Sequence, residues 1–266
     1  MNDLNSVITM ETVPIRFGVG ATKELGFELH KRNLSRVLLV TDPNLRDIGL
    51  ADSVEAIIRE AGVSVEMYDR VHAEPTDRSM EEAIAFQEWK EIDGYVALGG
   101  GSSIDTAKAM NLYGTYPAPL LTYINKPVGD ALPVPGPLKP LIAIPTTAGT
   151  GSETTSVIIM DLMDLHLKTG ISHPYIRPSV GVIDPLNTIT MPPVVTASTG
   201  LDVLCHAIES YTTKSYDARP RPETPGDRPT YIGANPIADM FCTQAMEIAG
   251  KHLGRAYHNP NDLEAR

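Results

Sequence analysis

Cysteine is nearly absent from this chain: Cys205 and Cys242 are the two among 266 residues. Two cysteines give no disulfide framework, and both fall in apolar helical patterns, which reads them as reduced core residues. Long apolar runs are also missing. None approaches the roughly 20 residues that cross a bilayer. The N-terminal stretch MNDLNSVITMETVP lacks the basic-then-apolar pattern of a secretory signal. Positive charge is in deficit, with 22 Lys and Arg against 33 Asp and Glu, a net charge of -11. That balance argues against nucleic acid and anionic membranes as main partners. It leaves a nucleotide cofactor open, because a cofactor is held by local contacts. Together these absences predict a cytoplasmic protein. At 266 residues and 42% hydrophobic, the chain is long enough for a sizeable core and two domains.

The most informative stretch present is Gly99-Gly100-Gly101-Ser102-Ser103-Ile104-Asp105-Thr106-Ala107-Lys108. It follows the apolar run Tyr95-Val96-Ala97-Leu98 and opens a helical pattern. Glycines let the backbone turn sharply and come close to a bulky anion. The free N–H groups and the dipole of a helix start then favour negative charge there. Strand, glycine turn and helix start together describe a phosphate cradle.

Up to Asp184-Pro185 the chain alternates strand and helix signals. Strands are expected at 36–41, 63–68, 94–98, 141–144, 157–160 and 180–183, and helices at 51–61, 78–90 and 102–113. Such alternation predicts parallel strands joined by crossovers, with ligands at the carboxyl ends of the strands. Asp42, the 99–103 turn and the Thr146-Thr147 turn all fall at that edge. After 185 the pattern becomes helical, at 194–212 and from about 236 to 250, around a Pro-rich charged excursion at 214–230. The expected division is an α/β domain at 1–185 and a helical domain at 186–266. No internal repeat is visible.

Several residues in this frame can carry chemistry. Asp202 and His206 lie four apart in the 194–212 helix, so they share one face. One carboxylate and one imidazole can grip a divalent cation, iron(II) or zinc by donor type. They can equally be part of a polar stripe with Ser198 and Glu209, and two ligands are too few for a catalytic site. The segment 145–155 holds five threonines, a serine and two glycines, which suits either a polar ligand or a capping loop. Asp42 can accept from a ribose diol and repel a 2′-phosphate, or it can cap a helix. Lys168 reads as a solvent-exposed lysine on residue type alone.

Taken in order, GGGSSIDTAK, IPTTAGTGSETT and IDPLNTITMPPVVTASTGLDVLCHAIESYTT resemble the iron-containing (group III) alcohol dehydrogenase family. The resemblance begins at Ile15-Arg16-Phe17-Gly18-Val19-Gly20 and covers essentially the whole chain. Glu74-Pro75-Thr76-Asp77, Pro137 to Ala143, Asp202-Val203-Leu204-Cys205-His206, Gly233-Ala234-Asn235-Pro236 and the terminal Asn259 to Arg266 look like its hydroxyacid-oxoacid transhydrogenase branch. The resemblance implies a dehydroquinate-synthase-like architecture: a Rossmann-like α/β domain, then a helical domain, with the active site in the cleft. It implies that Gly99, Gly100, Gly101, Ser102 and Asp105, with Thr146, Thr147 and Thr150, bind NAD. Asp42 then faces the adenosine ribose, Asp202 and His206 are the first two metal ligands, and Lys168 lies near the cofactor. Iron(II) is the implied metal, with zinc as the alternative. The implied substrates are a small alcohol or 4-hydroxy acid, with a 2-oxo acid as acceptor, and a homodimer is the implied assembly. Family members continue well past a segment like NPNDLEAR and supply two further histidine ligands there. The sequence is therefore expected to be a truncated version of a longer enzyme, with half a metal site. The alternative function is nucleotide binding without independent catalysis. A dehydroquinate-synthase-like lyase fits the TTAGTGSE and D-x-x-x-H spacing less well.

Overall fold

The computed structural model describes residues 4–88 and 90–266. The chain divides into two compact units, one formed by 13–146 and 151–187, the other by 4–12, 147–150 and 188–266. A single boundary at 185 does not capture this, because two short pieces earlier in the chain group with the helical unit. The N-terminal piece is held there by backbone pairing: Leu4 bridges Pro220, and Asn5 N donates to Arg219 O at 2.9 Å. The 147–150 piece is held by close packing. A Cβ on Gly149 would lie 2.6 Å from Thr199 O, so only glycine lets the two backbones approach this closely.

The first unit is built on a six-stranded sheet. Its strands are β1 (Ile15–Phe17), β2 (Arg36–Val40), β3 (Ser64–Tyr68), β4 (Gly94–Gly99), β5 (Leu141–Pro145) and β8 (Val180–Ile183). They run in the order β1-β8-β5-β4-β2-β3, and every pair is parallel. Near-continuous apolar strands are the mark of a sheet buried on both faces. The period of two is visible in the cores. Val37, Leu39, Val96, Leu98, Ile142 and Ile144 pack on one face, while Leu38, Val40, Tyr95, Ala97, Leu141 and Ala143 pack on the other. Helices α1 (Leu25–Lys31) and α3 (Leu50–Glu60) cover the first face through Leu25, Leu29, Val54 and Ile58. Helices α4 (Asp77–Phe86) and α5 (Gly101–Thr115) cover the second through Ala83, Ile104, Ala107 and Met110. The short α2 (Pro43–Asp47) follows β2.

One expected sheet strand lies elsewhere. Residues 157–160 belong to β6 (Val157–Leu162), which pairs antiparallel with β7 (Leu167–Ser172) in a separate two-stranded ribbon. Its burial explains the difference: Ile158, Met160 and Leu162 are buried against Met80, Ala109 and Leu112, whereas Ile159 is exposed. That alternation belongs to a strand covered on one side.

In the second unit, α6 (Pro193–Thr212) packs along α7 (Pro236–His258). Proline occupies the first turn of each, where its missing N–H leaves no bond unmade. Helix α7 runs past Gly250, the expected stop, to His258. Gly250 has no positive φ, and Leu253 just beyond it fills the space above Gly200 of α6. Among the described residues, no helix is long and apolar enough to cross a membrane.

Candidate functional site

The sheet order fixes where a ligand can sit. From β2 the chain moves outward to β3, then returns to β4 on the other side of β2 and continues through β5. Strands β2 and β4 are neighbours, so the order reverses between their carboxyl ends. In open α/β sheets the binding crevice lies at such a switch point. Asp42 follows β2 there, and the glycine turn follows β4.

The demand for glycine falls on Gly99. Its φ is 148°, a region L side chains rarely adopt. A Cβ there would lie 2.6 Å from Ser103 Cβ, closer still to Ser103 Oγ, and 3.5 Å from Asp42 Oδ2. Gly100 has φ −77° and ψ −168°, open to any residue, and it is the N-cap of α5. No side chain caps that helix start. Gly101 and Ser102 form its first turn and are partly exposed. Uncapped N–H groups, a helix dipole and a backbone stripped of side chains make an anion site. Ser102 Oγ accepts from Glu74 N at 3.3 Å, which brings the loop after β3 beside the cradle.

Of the two readings of Asp42, the structure contains the helix cap. Its Oδ1 accepts from Asn44 N at 3.0 Å and Leu45 N at 3.3 Å, capping α2. Its Oδ2 lies 3.5 Å from the Cβ position of Gly99. One oxygen is spent on the fold, and the other sits at the cradle.

Asp105 is turned inward. It is buried, and its Oδ2 accepts from Ile159 N at 3.1 Å. Its Oδ1 pairs with Lys108 Nζ at 3.2 Å. Burial pushes the Asp105 carboxyl up, against the pull of Lys108 and these hydrogen bonds. Burial pulls the Lys108 ammonium down. With its oxygens engaged inside the protein, Asp105 acts through the fold rather than as an open ligand. Lys108 itself was missed by the sequence reading. Opposite charges three apart in an otherwise uncharged helix are the signal that points to such a pair.

The three threonines have different settings. Thr146 is buried, and its N donates to Gly99 O at 3.0 Å, tying the loop's start to the cradle. Thr147 Oγ1 is buried without a hydrogen-bond partner among the described residues, an orphan that a bound polar group would satisfy. Thr150 already has a partner within the protein. Lys168 stands on β7, directly across from Asp161 of β6. Its ammonium lies 3.8 Å from Asp161 Oδ2 and the side chain is 58% exposed.

In the second unit, α6 brings Asp202 and His206 together. Asp202 Oδ1 and His206 Nε2 are 3.7 Å apart, on partly exposed side chains. The pair can supply one oxygen and one nitrogen to a cation. It fits part of a donor set and not a whole one: among the described residues, no group of three or more His, Cys, Asp and Glu is placed to hold a metal. Cys205, expected in the core, is exposed, while Cys242 is buried. The helix turns about 100° per residue, and Cys205 falls on the uncovered side of α6. A separate apolar cavity of about 300 Å³ between α6 and α7 is lined by Thr199, Val203, Ile248 and Leu253. Neither Asp202 nor His206 lines it.

This arrangement has counterparts in known proteins. The mitochondrial hydroxyacid-oxoacid transhydrogenase of Mus musculus is 49% identical over 254 residues, covering 95% of this chain and 55% of that protein. The chain thus spans about half the length of the curated relatives it matches. A 1,3-propanediol oxidoreductase superposes with a TM-score of 0.84 at 29% identity, covering 98% of this chain and 62% of that one. A sulfoacetaldehyde reductase from Bifidobacterium kashiwanohense, solved in complex with NAD+, gives a TM-score of 0.83 at 28% identity, covering 98% and 63%. The expectation of a cytoplasmic protein is corrected by these relatives, since the curated transhydrogenases of similar sequence are named as mitochondrial. Residues 13–185 match the iron-containing alcohol dehydrogenase family, and with the fold and motifs agreeing, the chain belongs to that family.

Proposed function

We propose that this chain carries the dinucleotide site and part of the metal site of an NAD-linked oxidoreductase acting on an alcohol or 4-hydroxy acid. A 2-oxo acid is the proposed acceptor, as the names of the transhydrogenase relatives suggest. The observation that carries the reading is the uncapped start of α5 behind Gly99, placed where the strand order reverses. When bound, NAD supplies the hydride acceptor, and a metal supplies Lewis-acid polarisation of the substrate hydroxyl.

The protein's own residues bind and orient. The first-turn N–H groups of α5 hold the pyrophosphate, and Gly99 keeps the turn open for its approach. The free oxygen of Asp42 accepts from the ribose 2′-hydroxyl and repels a 2′-phosphate, which favours NAD over NADP. Asp202 and His206 are proposed as two of the metal's ligands. Iron(II) is the proposed metal, from the family's description. The exposed Lys168 is a weaker candidate, because its ammonium is already beside a carboxylate.

A second reading rests on the missing third donor: the 266-residue chain binds the nucleotide and does not turn over alone. Calorimetry with NAD and NADP, beside a turnover assay with a 4-hydroxy acid and 2-oxoglutarate, separates the two. NAD binding with turnover supports the oxidoreductase reading for this chain, and NAD binding without turnover supports the second. No dinucleotide binding refutes both.

A further inference from the structure

Lys108 is fully buried in the middle of α5, and nothing in the proposed chemistry uses it. An ammonium has three N–H donors. Lys108 Nζ lies 3.2 Å from Asp105 Oδ1, 2.9 Å from Thr155 Oγ1 and 2.8 Å from Val157 O. Its donors are therefore saturated. Asp105 is engaged at both oxygens, by Lys108 and by Ile159 N at 3.1 Å, and the Ser152 side chain also bonds it. No donor of Lys108 remains for a ligand, and both oxygens of the buried Asp105 are turned to the protein. A buried ion pair replaced by well-packed apolar residues often leaves stability unchanged or raised, so stability alone gives no reason for this one.

Its partners supply a reason. Ser152, Thr155, Val157 and Ile159 are where the threonine-rich loop ends and β6 begins. The same loop starts at Thr146, whose N donates to Gly99 O. Both ends of the loop are thus fastened to the β4–α5 element whose junction is the cradle. Asp105 lies only one turn beyond Gly101, so a pull on the pair is a pull on the phosphate-facing turn. We propose that Lys108, with Asp105, is a positioning residue for dinucleotide binding, clamping the exit of the 146–155 loop, from Ser152 to Val157, to α5 so that this exit and the cradle hold one geometry. This rests on the reading of the cradle as the NAD site.

The test compares NAD+ binding by calorimetry in the wild type, the double variant Asp105→Leu, Lys108→Met, and Thr155→Val. The double variant removes both charges, so no lone buried ion is left to unfold the protein. It should keep its far-UV CD and melting temperature, yet bind NAD+ about tenfold more weakly, the scale of one hydrogen bond to a charged group. Amide exchange across 146–155 should quicken while β2, β4 and β5 stay protected. A pair with a merely structural role would change neither affinity nor loop exchange in a variant that folds normally. Undiminished affinity in the double variant, with a wild type that binds, overturns this assignment alone. If the double variant does not fold, Thr155→Val decides, because it deletes the bond from Lys108, along with the longer bond from Thr155 Oγ1 to Ser152 O at 3.4 Å, with little change of shape. It should weaken NAD+ about threefold, and unchanged affinity overturns the clamp. A wild type that does not bind NAD+ overturns the cradle reading and this assignment with it.

Discussion

Replacing Gly99 with alanine tests the cradle where the structure makes its sharpest demand. The new methyl carbon would sit 2.6 Å from Ser103 Cβ, where carbon atoms prefer about 3.5–4.0 Å. Ser103 is buried, so it has little room to withdraw. Forcing a side chain onto a backbone at φ 148° adds strain of about 1–3 kcal/mol. Overpacking at a buried site adds about 1–3 kcal/mol more. The expected loss of about 2–6 kcal/mol is a large share of the roughly 5–15 kcal/mol that holds a domain folded. Urea unfolding followed by CD measures it directly. Gly100→Ala is the control. Its backbone suits alanine, so stability should move by less than about 0.5 kcal/mol, while NAD binding falls because the methyl stands in the pyrophosphate's approach. A Gly99→Ala protein as stable as the wild type would refute the argument from φ and packing. A Gly100→Ala protein with undiminished NAD affinity would refute the placing of the phosphate.

Asp42→Asn keeps an oxygen for the α2 cap but removes the charge. Its stability should hold, and the preference for NAD over NADP in calorimetry should shrink; an unchanged preference refutes the role of Asp42. Asp42→Ala should in addition cost about 1 kcal/mol for the lost cap. Iron(II) or zinc should bind weakly and be lost in His206→Ala, because only two donors meet on α6; tight stoichiometric metal that survives the substitution refutes the ligand pair. Acid should weaken the α/β unit through Glu28, which is buried between Arg16 and Arg32. Burial pushes its carboxyl up, but the hydrogen bonds and charges of Arg32 and Arg16 outweigh that and hold it below the ordinary value. A depressed folded-state pKa stabilises above the unfolded value, about 4.3, and that stability is lost as pH falls through the lower folded value. Denaturant melts from pH 7 to pH 3 should show this loss, and Glu28→Gln should show a shallower one.

The sequence made the cradle legible because three signals coincide: a buried apolar strand, a cluster of glycines and a helix start. It did not show which glycine is indispensable, since φ depends on how Ser103 folds back over the turn. Asp202 and His206 were legible as a pair from helical spacing alone. The inward turn of Asp105 and Lys108 was hidden, because Ile159, which bonds Asp105, and Thr155 and Val157, which bond Lys108, lie some fifty residues away in sequence, on or just before a strand misassigned to the main sheet. That misassignment had a local cause: a short apolar run reads the same in a buried sheet and in a ribbon covered on one side. Helix α1 escaped notice because its inner face carries Glu28, whose burial becomes tolerable only with Arg16 and Arg32 beside it. Cys205 was misplaced because an apolar helix pattern does not say which face is covered.

The bridge between Leu4 and Pro220, with Asn5 held by Arg219, sets an order of events during synthesis. Residues 4–12 leave the ribosome more than 200 residues ahead of their partners. At a translation rate of about 5–20 residues per second, the wait is roughly 10–40 seconds. The sheet formed by 13–187 contains all its own strands and can close in that interval. Residues 4 and 5 must meanwhile wait without these backbone partners. A holding chaperone or a slow codon run would matter most in that interval, since this segment finds its place only once Arg219 and Pro220 are made.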